Sequence, residues 1–239
     1  MKFLLAVAVL AATAAYASDA RFERTLQTNS SPGVNLVTGV GNIHLSPGSD
    51  NQVHIVGHVH ANAGSGGSSF FAGLLGKSET DDEARIKQIA SNPPIAQNGN
   101  EILIGDRHPD DKLYHNLSID YDITLPRSSN IEIANGVGNL EIQEVGAGLR
   151  AKTGVGNIRL SGVRGEVSLD TGVGSIELEF GNTTGFNIDA STGVGSVNIK
   201  QTVTTTVNSG FVGHSVKGTV NGGGPMVRVH TGVGDVKVR

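Results

Sequence analysis

The stretch Thr153-Gly154-Val155-Gly156-Asn157-Ile158-Arg159-Leu160 decides the fold, because the chain repeats its pattern many times. The tetrapeptide Thr-Gly-Val-Gly starts at Thr38, Thr153, Thr171, Thr192 and Thr231, and Asn135 starts a variant with Asn for Thr. From Asn135 onwards the starts are 18, 18, 21 and 39 residues apart, and the last gap suggests two repeats with a degenerate copy near residues 209–213. A period of about 20 residues is typical of a solenoid that adds one coil per repeat.

Short alternating strands follow the repeated tetrapeptide, with apolar residues on both sides of one polar residue. These strands are Ile43–Leu45, Leu140–Ile142, Ile158–Leu160, Ile176–Leu178, Val197–Ile199 and Val236–Val238. A second strand follows in several coils, at Val167–Leu169, Phe186–Ile188 and Val227–Val229. Equivalent strands of successive coils should lie parallel, about 4.8 Å apart. The pattern predicts an all-β fold, a single-stranded parallel β-helix or solenoid, and the crossover preference favours a right-handed coil.

The repeated positions also predict the surface of the solenoid. The glycines should form the corners, the valine between them should stack on its counterparts, and the Thr and Asn positions should form outward or corner ladders. The outward residue of the first strand is acidic, basic and acidic in three consecutive coils, which favours a role in register. The same face is the candidate contact surface for a partner. Its residues are Glu141, Arg159, Glu177 and Asn198.

Composition and the N-terminus indicate an exported protein. Lys2 followed by the apolar run Phe3–Ala15 and the small-x-small site Ala15–Ala17 predict a signal peptide over residues 1–17. One β-helix domain should then occupy residues 18–239, in the periplasm or at the cell surface. Disulfides are excluded because the chain has no cysteine, and the net charge of −4 without a basic cluster argues against nucleic acid. No second apolar stretch is long enough to span a bilayer.

Residues 61–100 interrupt the coils with a loop and a helix. A helix is predicted over residues 80–90, with Thr80 as its cap and with Ile86 and Ile89 on one face. The helix and the apolar run Phe70–Leu75 should cover an open end of the core. The alternative for Phe70–Leu75 is a patch that binds a membrane or a partner.

The order of these elements resembles the bacterial putative-adhesin family of exported β-helix proteins. The matching features are the signal peptide, the helical insertion, the strand ending at Tyr121–Pro126, the repeated TGVG coils and the turn Asn221–Pro225. The resemblance covers nearly all of the mature chain. It implies a β-helix at the cell envelope with no established chemistry, so no catalytic residue and no cofactor are carried over.

An enzyme is the first alternative, because β-helices also host polysaccharide lyases and hydrolases. Asp170, Asp189 and His230 each follow a second strand directly, so stacking could align them on one edge. The other carboxylates of the coils are dispersed along the chain, whereas such enzymes need acidic side chains that converge. The row therefore remains a minor candidate for a weakly polysaccharide-active site.

The histidines are the second alternative. His54, His58 and His60 share a strand face, and His44 joins them if the chain turns back after Ser46. Residues two apart on a strand lie about 6.6 Å apart, so two imidazoles could share a Zn²⁺ or Cu²⁺ ion. Neither a carboxylate nor a Cys stands near them in the sequence to complete a ligand set. A proton-sensitive contact surface is the other option, because imidazole titrates near neutrality.

The sequence as a whole therefore predicts a non-enzymatic, adhesin-like protein that contacts polysaccharides or proteins of the envelope. A periplasmic metal- or pH-responsive binding protein stays open as the alternative. An end-to-end homodimer is a further candidate, because the final strand Val236–Val238 ends almost at the C-terminus and its coil would be uncapped.

Overall fold

The computed structural model of this chain describes residues 19–61, 79–105, 111–144, 146–162, 164–181, 184–200, 203–209 and 213–239. Its described part contains two large β-sheets and two helices, which confirms the all-β class. The predicted signal peptide and the run Phe70–Leu75 lie outside the described residues, as does most of the degenerate copy near residues 209–213. The signal peptide and the role of Phe70–Leu75 stay predictions, and so does the division into one domain.

The strands form two sheets, each named here with its strands in spatial order. Sheet A consists of β1 (Asp19–Gln27), β4 (Gln52–Ala61), β7 (Leu117–Leu125), β3 (Ile43–Pro47), β9 (Leu140–Gln143), β11 (Ile158–Ser161), β13 (Ile176–Glu179), β19 (Val236–Val238) and β15 (Val197–Ile199). Sheet B consists of β16 (Val203–Ser209), β17 (His214–Val220), β14 (Phe186–Val194), β18 (Met226–Val233), β12 (Val167–Val173), β10 (Leu149–Val155), β8 (Asn130–Val137), β2 (Gly33–Val40), β6 (Glu101–Gly105) and β5 (Ile95–Asn98). The helices are α1 (Glu79–Ser91) and α2 (Asp111–Tyr114).

Each Thr-Gly-Val-Gly copy joins a strand of sheet B to a strand of sheet A. In β11, Ile158 and Leu160 are buried while Arg159 between them is exposed, and the other repeat strands of the central coils alternate in the same way. The inward residues of both sheets belong to one hydrophobic core. The predicted strands, their parallel pairing and their alternation are therefore confirmed, whereas a single right-handed coil stays a prediction.

The second glycine of each copy forms the corner between the sheets. All six such glycines have φ between +143° and +153°, a region that favours glycine. A Cβ atom on Gly156 would lie 2.0 Å from the carbonyl oxygen of Gly138 in the neighbouring coil. The corner therefore needs glycine for its backbone angle and also for the close approach of successive coils.

Two polar ladders follow this corner along the stack. The threonines of the last four copies are buried, and their hydroxyls donate across coils: Thr171 Oγ1 lies 2.9 Å from the Gly156 carbonyl oxygen. The Thr ladder is thus a corner ladder and not an outward one. The exposed ladder comes from the residue after the tetrapeptide, where the Ser175 amide donates to Asn157 Oδ1 at 2.8 Å. Such bonds contribute about 1 kcal/mol each and hold neighbouring coils in register.

The valines of the repeat stack as predicted, but they stand outside the core. Six of them lie in register along one edge with 36–57% of their surface exposed. The first and last of the row in space are Val40 and Val194. This edge is a narrow apolar ridge between two lines of glycine.

The coils are not stacked in chain order. Their order in space is β6–β7, β2–β3, β8–β9, β10–β11, β12–β13, β18–β19 and β14–β15. The final coil therefore lies between two others, and the 39-residue gap holds the antiparallel hairpin β16–β17 in place of a further coil. The argument for an end-to-end dimer through Val236–Val238 is wrong, because β19 pairs with β13 on one side and with β15 on the other.

The helical insertion covers one end of the core, as predicted. Helix α1 packs on β1 and β4, and its Ile86 and Ile89 are buried. The helix begins one residue before Thr80, so Thr80 is not its N-cap. The sequence did not predict β1, which pairs antiparallel with β4 and places Phe22 against Tyr121.

Candidate functional site

Every outward side chain belongs to a row that crosses its sheet, because the strands are paired in register. On sheet A, the row that contains the predicted contact residues reads Asp122, His44, Glu141, Arg159, Glu177, Lys237 and Asn198. Glu141, Arg159 and Glu177 are neighbours as predicted. Asn198 is not the next residue, because the inserted final coil places Lys237 between Glu177 and Asn198.

Ion pairs occupy the charges at the centre of this row. Arg159 Nη2 lies 2.6 Å from Glu177 Oε2, and Arg239 Nη1 lies 2.8 Å from Glu177 Oε1. The hydrogen bond from Arg159, reinforced by its charge and that of Arg239, lowers the pKa of the Glu177 carboxyl despite partial desolvation. Since the side chains already bind each other, the row supports register more than it offers free groups to a partner.

The histidines share the outer face of sheet A at its other end. His54, His58 and His60 alternate outward from β4, and His44 stands on the same face two strands away. The common face of the four histidines is therefore confirmed.

Each histidine faces a carboxylate, which the sequence did not predict. The pairs are His44–Glu141 at 3.7 Å, His54–Glu23 at 3.5 Å, His58–Asp122 at 3.8 Å and His60–Asp120 at 3.8 Å. Glu23 comes from β1, the two aspartates from β7 and Glu141 from β9, all distant from the histidines in sequence. Within the described ranges, no three His, Asp or Glu side chains lie close enough together to hold a metal ion. Metal binding by the four histidines stays a prediction.

Two of the three residues proposed for catalysis are neighbours on sheet B. Asp170 and His230 are register partners, and His230 Nδ1 lies 3.0 Å from the hydroxyl of Ser191 on the next strand. Asp189 lies in the adjacent row, where its Oδ2 pairs with Lys217 Nζ at 2.9 Å. The three predicted residues therefore do not form one line, and Asp189 already has a cationic partner.

A second row on sheet B carries basic side chains that sequence reasoning missed. It reads Asn35, Glu132, Arg150, Ser168, Arg228, Asp189 and Lys217. A shallow groove of about 410 Å³ lies over part of this row and is lined by Arg150, Ser168 and Arg228 among others. The signal was available in the repeat, because each of these residues except Lys217 stands three positions before a Thr-Gly-Val-Gly copy or its variant.

The family of the chain follows from its repeated half. Residues 116–239, just over half of the sequence, match the Toastrack DUF4097 family. The chain belongs to this family. This family match confirms the resemblance that the sequence predicts.

The similarity to solved structures extends over most of the chain. A putative cell adhesion protein from Clostridium sporogenes is 19% identical, with a TM-score of 0.59, covering 91% of this chain and 98% of its own. A putative adhesin from Bacteroides fragilis is 14% identical, with a TM-score of 0.39, covering 92% of this chain and 97% of its own. No curated protein matches the sequence. No helix among the described residues is long and apolar enough to cross a membrane.

Proposed function

We propose that this Toastrack protein is exported and that it contacts polysaccharides or proteins of the cell envelope without catalysing a reaction. The observation that carries the proposal is the outer face of sheet B, where register places polar side chains of successive coils in straight rows. A partner with repeating units can engage several coils of such a face at once. The adhesion name of the Clostridium protein supports the same kind of contact.

We also propose that the protein lies in the periplasm or at the cell surface and that its coil is right-handed. The predicted signal peptide supports the periplasm or the cell surface, and the crossover preference supports a right-handed coil. The non-enzymatic character is supported by the separation of Asp170 from Asp189 into different rows and by the ion pair of Asp189 with Lys217.

Co-sedimentation tests this proposal. The mature chain, residues 18–239, is mixed with isolated envelopes and with insoluble polysaccharides of its host, with and without EDTA. We expect saturable binding that EDTA does not change, and no release of soluble sugar from the polysaccharides. An absence of binding to every fraction would contradict the proposal, and sugar release that Asp170→Asn abolishes would favour the enzyme alternative.

The histidine face supports a second candidate, a contact surface that responds to pH. At neutral pH the carboxylates Glu23, Asp120, Asp122 and Glu141 give this face negative charge, together with Asp19 beside His60. Arg21 on β1 pairs with Glu23 and is the basic side chain opposite His58. Positive charge on the four imidazoles would largely cancel that negative charge.

We therefore expect binding to anionic envelope fractions to strengthen between pH 7.5 and pH 5.5. The quadruple variant with Asn at His44, His54, His58 and His60 should lose this dependence, since its side chains do not titrate. His214→Asn is the matched control, because His214 lies in sheet B. Binding that changes equally with pH in the quadruple variant would rule out the second candidate. Loss of wild-type binding in EDTA at pH 7.5 would instead favour a metal.

A further inference from the structure

We propose that the groove on sheet B binds a carboxylate-bearing polysaccharide. Arg150 and Arg228, which lie on either side of Ser168, bind its carboxylates. This inference rests on the proposed function and names the ligand class for it. The occupant is an acidic glycan and not a protein or a neutral polymer.

The two arginines are free to bind. Arg150 and Arg228 are exposed, and neither takes part in an ion pair or a side-chain hydrogen bond within the described residues. The acids beside them in the row are engaged elsewhere: Glu132 Oε2 accepts from Asn35 at 3.4 Å, and Asp189 pairs with Lys217. Two guanidinium groups are therefore left without an internal partner.

The spacing between the arginines is fixed by the sheet. Ser168 on β12 is the register partner of both residues, so the two Cα atoms lie two strand spacings apart, about 9.6 Å. The inward neighbours Leu149 and Val227 are buried in the core, which holds both strands in place. Arginine presents a planar fork that matches a carboxylate with two parallel hydrogen bonds. The small Ser168 leaves room for a chain that crosses from one fork to the other.

A third basic residue extends the site. Lys152 stands two residues after Arg150 on β10, is exposed, and likewise makes no ion pair among the described residues. It faces the same side of the sheet as Arg150, one row nearer the corner. Three cations, on Arg150, Lys152 and Arg228, therefore lie close together on this face, with Asp170 as the register partner of Lys152.

The carboxylates around the groove favour a sugar over other polyanions. Glu101, Glu132 and Glu166 line the same groove as the arginines, and hydroxyl groups of a glycan can donate to them. These carboxylates repel the negative charge of either polymer, but a polyphosphate has no hydroxyl donors that would offset this repulsion, whereas the sugar has. A groove with fixed cations and nearby acceptors fits a polymer that carries both carboxylates and hydroxyls.

Binding to three defined polymers tests the inference. The mature chain is titrated with polygalacturonate, with uncharged dextran and with polyphosphate at low and moderate salt. We expect binding to polygalacturonate that weakens with salt, and little binding to the other two. The double variant Arg150→Gln/Arg228→Gln should bind polygalacturonate about 10- to 100-fold more weakly, because each lost contact is a charge-assisted hydrogen bond.

The control carries the same change of charge on the other sheet. Lys200→Gln/Lys237→Gln removes two exposed cations, one directly after β15 and one on β19 of sheet A, and should bind like the wild type. Equal binding by the arginine variant and the wild type would overturn the inference, as would polyphosphate that binds as tightly as polygalacturonate. Both variants are compared by urea unfolding, so that a loss of fold is not mistaken for a loss of contact.

Failure of the inference is distinguishable from failure of the proposed function. If the wild type sediments with envelopes but does not bind polygalacturonate, the proposed acidic-glycan site is wrong and the proposed envelope contact is still supported. If the wild type binds neither, both proposals fall. If it binds polygalacturonate through the arginines, the inference is supported, and loss of envelope binding in the arginine variant places the envelope contact on the same face.

Discussion

Val238→Asp is expected to unfold the coil stack, with a loss of several kcal/mol in the free energy of unfolding. Val238 is fully buried in β19, where its register partners are Leu178 on one side and Ile199 on the other. An unpaired carboxylate in such a position costs at least about 3 kcal/mol. Domains of this kind have total stabilities of about 5–15 kcal/mol. Because the final coil lies inside the stack, its loss would also separate β14–β15 from the coils before it.

The matched control for this substitution is Lys237→Asp, one residue away. Lys237 points outward between Glu177 and Asn198, so the same new side chain stays in water and should cost at most about 1 kcal/mol. Urea unfolding followed by circular dichroism measures both variants. If Val238→Asp unfolds at the same urea concentration as Lys237→Asp, then β19 does not occupy the centre of the stack in solution.

Local features of the coils were readable from the sequence because the repeat encodes them directly. Alternation around Arg159 and Glu177 fixes which side of each strand faces the core, and a strand needs only its own residues for that pattern. The corner glycines were predictable for the same reason. The reason that the corner requires glycine is the close carbonyl oxygen of a neighbouring coil, and that contact is seen only in the structure.

The order of the coils was not readable, since near-identical copies fit next to each other equally well. The copy at Thr231 can stack on the copy at Thr171 as well as on that at Thr192, and in the protein it contacts both. The long gap between Thr192 and Thr231 was the one sign of an irregularity. The prediction of a degenerate copy in this gap is wrong, because the gap holds the hairpin of β16 with β17, whose antiparallel pairing leaves no repeat signature.

Errors about the candidate sites follow from the same cause. The inserted coil brings Lys237 into the row on sheet A and Arg228 into the row on sheet B, and neither neighbour can be derived from an 18-residue period. The carboxylates beside the three histidines of β4 come from β1 and β7, which antiparallel pairing places on both sides of β4. Repeat position predicts the row of a residue, whereas topology decides its neighbours.

Gly174→Ala is expected to lower the free energy of unfolding by roughly 3 kcal/mol or more. Gly174 has φ +150°, and a Cβ atom there would lie 2.0 Å from the carbonyl oxygen of Gly156. The obstacle is backbone, so it cannot rotate away as a side chain could. Two controls separate the causes.

Gly222 has φ +83° and open space where a Cβ atom would lie. Gly222→Ala should therefore lower the free energy of unfolding only by the cost of the backbone angle, about 1–2 kcal/mol. Gly39 lies in the first tetrapeptide, has no positive φ, and has no atom within 4 Å of where a Cβ atom would lie. Gly39→Ala should therefore leave the free energy of unfolding nearly unchanged. Unfolding in urea ranks the three variants. If Gly174→Ala were no less stable than Gly222→Ala, the coils could move apart at the corner, and the close approach of successive coils would not explain the second glycine of the repeat.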